Sequence, residues 1–229
     1  MSRGTLTAGE RRQWLMRVAP ATLLVLLYGG IVMKKSVTTV QELGGLAGGD
    51  WAKPLLIALH SASGAMFFGI IAVITMVRKE PLRREKRVIG WTLPLAVTLA
   101  LAVVGWDNPK DYPTPVLIVA TAFVVVGTGF TIYALRHLGR HFGVVSDVRG
   151  LVTSGPYRHV RHLLYAGETI TTIGFVVAVA SPITVIAFAG GIALQIWRAS
   201  VEEQALADAF PEYQAYARRT PMLIPLLRV

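Results

Sequence analysis

"LYAGETITTIGFVVAVASPITVIAFAGGIALQIW", residues 164–197, runs for 34 residues with a single charged side chain, Glu168. A helix crossing a bilayer takes about 20 predominantly apolar residues, so this stretch is too long for one span and too short for two full ones. Ser181-Pro182 lies near its middle. Proline brings no amide donor and disfavours helix in the residue before it. The reading is a helical hairpin with two arms of roughly 16 residues, each about 24 Å long at about 1.5 Å per residue. Such arms fall short of about 30 Å of hydrocarbon. The pair either tilts through thinned lipid or turns around inside the protein.

Four further stretches upstream are long and apolar enough to span: residues 15–33, 55–77, 88–106 and 116–135. The first begins after a basic stretch, as a signal peptide would. Its apolar run ends in Lys34-Lys35 without a small-residue cleavage pattern, so it reads as a retained span. Whole-chain composition agrees: of 229 residues, 53% are hydrophobic and 16% charged, against about 25% charged in an average soluble chain. Mean hydropathy is +0.54. The expected fold is all-α, a polytopic membrane bundle of about six helices. It includes the C-terminal hairpin and, after Arg198, a polar helix outside the lipid interrupted at Pro211. Residues 1–135 are expected to form N-terminal transmembrane helices, and residues 136–229 a second unit of cytoplasmic loop, helical hairpin and C-terminal helix.

Charge sets the expected orientation. With both termini cytoplasmic, inside segments hold 19 of the 23 Lys and Arg, as the positive-inside rule requires. A net charge of +10 on so apolar a background points to anionic headgroups and away from nucleic acid, for which no recognition pattern occurs. The absence of cysteine removes disulfides and thiolate chemistry. The sequence leaves oligomeric state open.

The titratable residues gather at the doorstep of the hairpin, in "YRHVRHLLYAGE" (157–168), and again past its return, in "RASVEEQALADAFPEY" (198–213). A closed hairpin would bring His162 and Tyr165 beside Arg198 and Glu202. Arg158, His159 and Arg161 read first as headgroup anchors, as basic residues beside a span commonly are. His137 and His141 have helical metal-ligand spacing, but no carboxylate completes the pattern, and no metal site is expected. His60 should be hydrogen-bonded in a polar interior. Glu168 follows the helix start by about one turn, where a carboxylate faces a cavity or a partner. Arg198 and Glu202 are one turn apart, which suits a simple surface pair and equally an arginine fork presented to an anionic group.

"GPYRHVRHLLYAGE" followed by "RASVEEQALADAFPEYQAYARRTPMLIP" resembles the C-terminal region of the isoprenylcysteine carboxyl methyltransferase and phospholipid methyltransferase superfamily. That family runs Gly-x-Tyr-x-x-Val-Arg-His-Pro-x-Tyr, then a hairpin, then Arg-x-x-x-Glu-Glu, Tyr-x-x-Tyr and a terminal Ile-Pro; the likeness covers about residues 138–225. Leu163 stands where the family has proline. The resemblance implies an S-adenosylmethionine-dependent methyltransferase acting on a lipophilic acceptor drawn from the surrounding membrane lipids. Carried over by motif position, Tyr157, the backbone near Val160, His162 and Tyr165 hold the cofactor with support from Glu203, while Arg198 and Glu202 orient the acceptor. "YAGE" is also similar to membrane sterol-type reductases, which implies an alternative: NADPH-dependent reduction of a sterol-like or enone lipid.

Overall fold

The computed structural model describes residues 8–46, 51–77, 112–138 and 150–223. Its regular elements are all helical: α1 (Ala8–Gly45), α2 (Ala52–Val77), α3 (Thr114–Leu138), a 3-10 turn (Gly155–Arg158), α4 (Leu163–Val179), α5 (Pro182–Ala209) and α6 (Tyr213–Ala217). Among the described residues, four helices are long and apolar enough to cross a membrane, and α4 is a shorter apolar one. This is a polytopic membrane helical bundle. The expected span at 88–106 lies outside the described residues.

Three boundaries differ from the sequence reading. The first helix does not stop at Lys34-Lys35 but continues to Gly45. Lysine is a good helix former, and the Lys35 stem lies over Gly64, where a Cβ would stand 2.8 Å from its Cδ. The Lys35 ammonium sits 5.1 Å from the centre of the Phe175 ring, a cation–π contact at a residue that is 2% exposed. Lys34 and Lys35 are therefore helical residues, not loop residues. The hairpin arms are also unequal. The first, α4, has 17 residues, whereas α5 has 28 and reaches about 42 Å. The polar segment after Arg198 is thus the same helix running on, and it ends at Ala209, with Phe210 as its extended cap just before Pro211.

Local chemistry fixes the hairpin turn. Ala180 closes α4 in the left-handed conformation, φ 41°, with its amide donating to the Val176 carbonyl. Ser181 then caps α5. Its hydroxyl accepts from the Thr184 amide at 3.2 Å, and the Thr184 hydroxyl accepts from the Ser181 amide at 3.1 Å. With Pro182 in the first turn, the arrangement is a reciprocal capping box.

Packing follows small residues. Along α3, Ala120, Val124, Gly127, Thr131 and Ala134 are buried on one face; along α4, Gly167, Thr171, Gly174 and Ala178 are. The two stripes press backbone to backbone: a Cβ on Gly127 would collide with Thr171, one on Gly167 with Thr131, and one on Gly174 with Val124. Van der Waals contact at small residues is a main source of helix association in lipid. Among the described residues, by contrast, a Cβ on Gly129 would meet nothing within 4 Å, and one on Gly69 would meet only Val32. Tyr28 (α1), Phe68 (α2) and Phe175 (α4) pack successively, with centroid separations of 5.6 and 6.1 Å, and form the centre of the core. Against α5, α4 packs far more sparsely than against α3.

Candidate functional site

The site is built where α4 begins, because the last residues before it are held from two sides. Gly155 adopts φ +60°, and a Cβ there would run into the His137 ring, whose Nδ1 donates to the Tyr133 carbonyl at 2.9 Å. The end of α3 thereby seats the Gly155–Arg158 turn. From the other side comes the C-terminal tail. The amides of Arg161 and His162 donate to the carbonyls of Pro221 and Met222, both at 3.0 Å. The Tyr216 hydroxyl donates to the Tyr157 carbonyl at 2.6 Å, and the Thr220 hydroxyl to that of Arg158 at 3.4 Å.

On this seat, the two separated sequence motifs meet. His162 Nε2 donates to Glu203 Oε1 at 3.1 Å. Arg161 Nη1 reaches the same oxygen at 2.9 Å. The Tyr165 hydroxyl donates to Glu202 Oε2 at 2.7 Å. The His162 and Tyr165 rings stack at 5.2 Å with 7° between planes, and the Arg198 guanidinium carbon lies 5.1 Å from the Tyr165 centroid. His162 and Tyr165 are 7% and 4% exposed. Glu202 and Glu203, adjacent in sequence, therefore point to different partners: one to the tyrosine within, the other to the basic pair at the mouth.

Tyr157 and Val160 are placed differently. Both are buried in the core cluster. The Tyr157 hydroxyl donates to the Ala134 carbonyl at 3.4 Å, and the Val160 amide donates to Pro156. The amides of 157, 159, 160, 161 and 162 all donate to carbonyls within the protein. Arg158 and His159 pair with each other on the exposed side, Nε to Nε2 at 2.8 Å, as anchors would. Arg161 departs from the anchor reading by joining Glu203. His141 lies outside the described residues.

One layer deeper, the hairpin carries a second polar group. Gln195 Nε2 donates to Glu168 Oε2 at 3.0 Å, and the Thr169 hydroxyl donates to Gln195 Oε1 at 2.8 Å. Gln195 and Thr169 were not singled out by motif. Their signal was periodic: 195, 198 and 202 share one face of α5, as 165, 168, 169 and 172 share one face of α4. Polar residues in register on two apolar helices mark facing surfaces.

Burial pushes the phenols of Tyr157, Tyr213 and Tyr216 upward, the last to about 12. After burial, the Glu202 charge adds to the rise at Tyr157 and the Glu203 charge to that at Tyr213. These hydroxyls stay protonated and act as donors at neutral pH.

Comparison with known proteins gives a consistent picture. Residues 115–213 match the Phospholipid methyltransferase family, a span from the first turn of α3 to the first residue of α6. The chain is 32% identical over 114 residues to Protein-S-isoprenylcysteine O-methyltransferase B of Arabidopsis thaliana, covering 47% of this chain and 52% of that protein. It is 40% identical over 79 residues to the Cobalt-zinc-cadmium resistance protein CzcN of Cupriavidus metallidurans, covering 34% of this chain and 36% of that protein. The matched regions thus span about half and about a third of these relatives' lengths.

Proposed function

The chain belongs, through residues 115–213, to the integral-membrane methyltransferase family of phospholipid and isoprenylcysteine methyltransferases, and from that premise we propose that it transfers a methyl group from S-adenosylmethionine to a lipophilic acceptor at the membrane–cytosol interface. The observation that carries the reading is the junction of His162 with Glu203 and of Tyr165 with Glu202 at the start of the hairpin. It is a polar junction at the edge of an apolar bundle, where a water-soluble donor can meet an acceptor that stays in lipid.

The residue types suit such a donor. When bound, S-adenosylmethionine supplies a methyl carbon activated by a sulfonium. Glu202 offers that positive charge an opposite one, and Arg161 and His162 at the mouth can take the donor's own carboxylate, each interaction strengthened by the low dielectric. Tyr165, fixed by stacking on His162 and by its bond to Glu202, keeps both walls in place. Arg198 lies against Tyr165 and orients the acceptor. For an in-line displacement, much of the barrier reduction comes from holding the reacting atoms aligned and near contact. We place this junction, with both chain termini, on the cytoplasmic side on the strength of the Lys and Arg distribution.

Calorimetric titration of the purified protein with S-adenosylhomocysteine tests the proposal. We expect saturable binding, weakened at least tenfold in His162→Ala. A folded sample that binds no S-adenosylhomocysteine but is stabilised by NADPH would replace methyl transfer with lipid reduction.

A further inference from the structure

We propose that the C-terminal strap is a two-sided element: its outer side, Arg218 and Arg219 together with Arg158, binds anionic phospholipid headgroups of the bilayer, and this binding holds the strap closed over the start of α4.

The inner side is committed to the protein. Tyr213 and Thr220 are each 4% exposed. The Tyr213 hydroxyl accepts from Arg161 Nη1 at 3.5 Å. The Tyr216 and Thr220 hydroxyls donate to the carbonyls of Tyr157 and Arg158. The carbonyls of Pro221 and Met222 accept the amides of Arg161 and His162. None of these bonds uses an arginine side chain of the strap.

The outer side is cationic and open. Arg158, Arg218 and Arg219 are exposed, and among the described residues no carboxylate pairs with any of them. Arg219 Nε donates to the Ala215 carbonyl in its own turn, and Arg158 Nε to His159. The bond from Thr220 to the Arg158 carbonyl draws the three arginines onto adjoining stretches. The nearby carboxylates do not neutralise them. Glu203 is taken by Arg161 and His162, and Glu202 by Tyr165. Asp208 and Glu212 stand at the far end, around the corner between α5 and α6.

The path of the chain sets the outer side at headgroup depth. Arg198 is level with Tyr165, and from there α5 runs on to Ala209, about 16 Å at about 1.5 Å per residue. The chain then turns at Pro211, and by Pro221 and Met222 it is back beside Arg161 and His162, the last residues before apolar α4. Arg218 and Arg219 precede Pro221 by so few residues that they lie within about 10 Å of that level even if extended. At that depth a bilayer presents phosphates, which a guanidinium can hold through two parallel bonds. Opening the strap would carry two arginines away from that surface. Each cation near an anionic leaflet shifts such an equilibrium by about fivefold, so anionic lipid favours the closed strap. The inference concerns the strap and does not depend on which group the site transfers.

Amide hydrogen exchange of the full-length protein in nanodiscs tests it, read on the peptide containing Arg161 and His162, whose amides the closed strap covers. We compare discs of phosphatidylcholine alone with discs containing about one third phosphatidylglycerol, and expect exchange to slow by at least about fivefold in the anionic discs, with exchange in α3 unchanged. The double variant Arg218→Gln/Arg219→Gln should match the parent in phosphatidylcholine and lose the slowing in phosphatidylglycerol. Arg218→Lys/Arg219→Lys, which keeps the charge, should retain most of it. Equal exchange of the parent in the two bilayers, or slowing that survives in the glutamine variant, overturns the inference. Slowing of the same size by millimolar inorganic phosphate in phosphatidylcholine discs would make this a soluble-anion surface and overturn its assignment to lipid.

Discussion

Arg198 is the residue whose role most depends on its neighbours. Alone, it is one member of a helical i, i+4 pair with Glu202, worth a few tenths of a kcal/mol at a surface. In the folded chain it lies against Tyr165, and that tyrosine's hydroxyl has taken Glu202. It therefore places a positive charge beside the Tyr165–Glu202 pair. Arg198→Ala is expected to lower kcat by about 100-fold, the typical loss for one electrostatic stabiliser, with S-adenosylhomocysteine affinity little changed in calorimetry. Arg198→Lys should recover only part of the rate, since an ammonium lacks the planar fork. Motif position had pointed to Tyr157, Val160, His162, Tyr165, Arg198, Glu202 and Glu203; the fold brings the last five together, while Tyr157 and Val160 lie in the core. It had set Arg161 aside as an anchor, because a basic residue beside a span is ordinary; its bond to Glu203 crosses 42 positions and leaves no local trace. Tyr157 reads the same in sequence as Tyr165, yet its hydroxyl is spent on the Ala134 carbonyl.

Among the elements, the hairpin turn and the α3–α4 seam hold the site in position. Ala180 sits at φ 41°, a left-handed conformation costing a residue with a Cβ about 1–2 kcal/mol. Ala180→Gly should raise the melting temperature in detergent without altering ligand binding; a lower melting temperature would contradict the turn geometry. The seam predicts the opposite sign. A methyl group on Gly127 has no room beside the Thr171 backbone, so Gly127→Ala should destabilise by about 1–3 kcal/mol, the usual cost of overpacking. Because α4 carries Tyr165 and Glu168, that loss should be accompanied by weaker S-adenosylhomocysteine binding. The helix break at Ser181-Pro182 was readable because proline acts locally. The length of α5 was not, because the polarity change at Arg198 marks where lipid ends and not where the helix does.

For the whole molecule, the tail closes the site by strapping residues 213–222 across the start of α4. The strap implies an alkaline limit to stability. The Tyr216 phenol, pushed up to about 12 chiefly by burial, lies above its unfolded value of about 10. The folded strap then binds more protons than the released one between those values, so its contribution is complete below pH 10 and is lost as pH rises through about 12. Melting temperature should hold steady up to about pH 10 and fall above it, with tyrosinate absorbance rising in step. Tyr216→Phe, which removes a bond worth about 1 kcal/mol, should start lower and fall less.

The sequence by itself determined that this protein is an all-helical membrane bundle, where its chain turns back, and which short stretches gather its titratable residues. Those properties follow from runs of apolar residues, from proline's missing donor, and from backbone groups that must be satisfied within each segment in lipid. Only the tertiary structure decided which of those residues meet. Each residue along a helix turns the side chain by about 100°, so pairing Tyr165 with Glu202, or Glu168 with Gln195, depends on how α4 and α5 are rotated about their axes. That rotation is set by the capped turn at Ser181 and by glycines that let α4 settle against α3, contacts made between segments and therefore absent from either one alone.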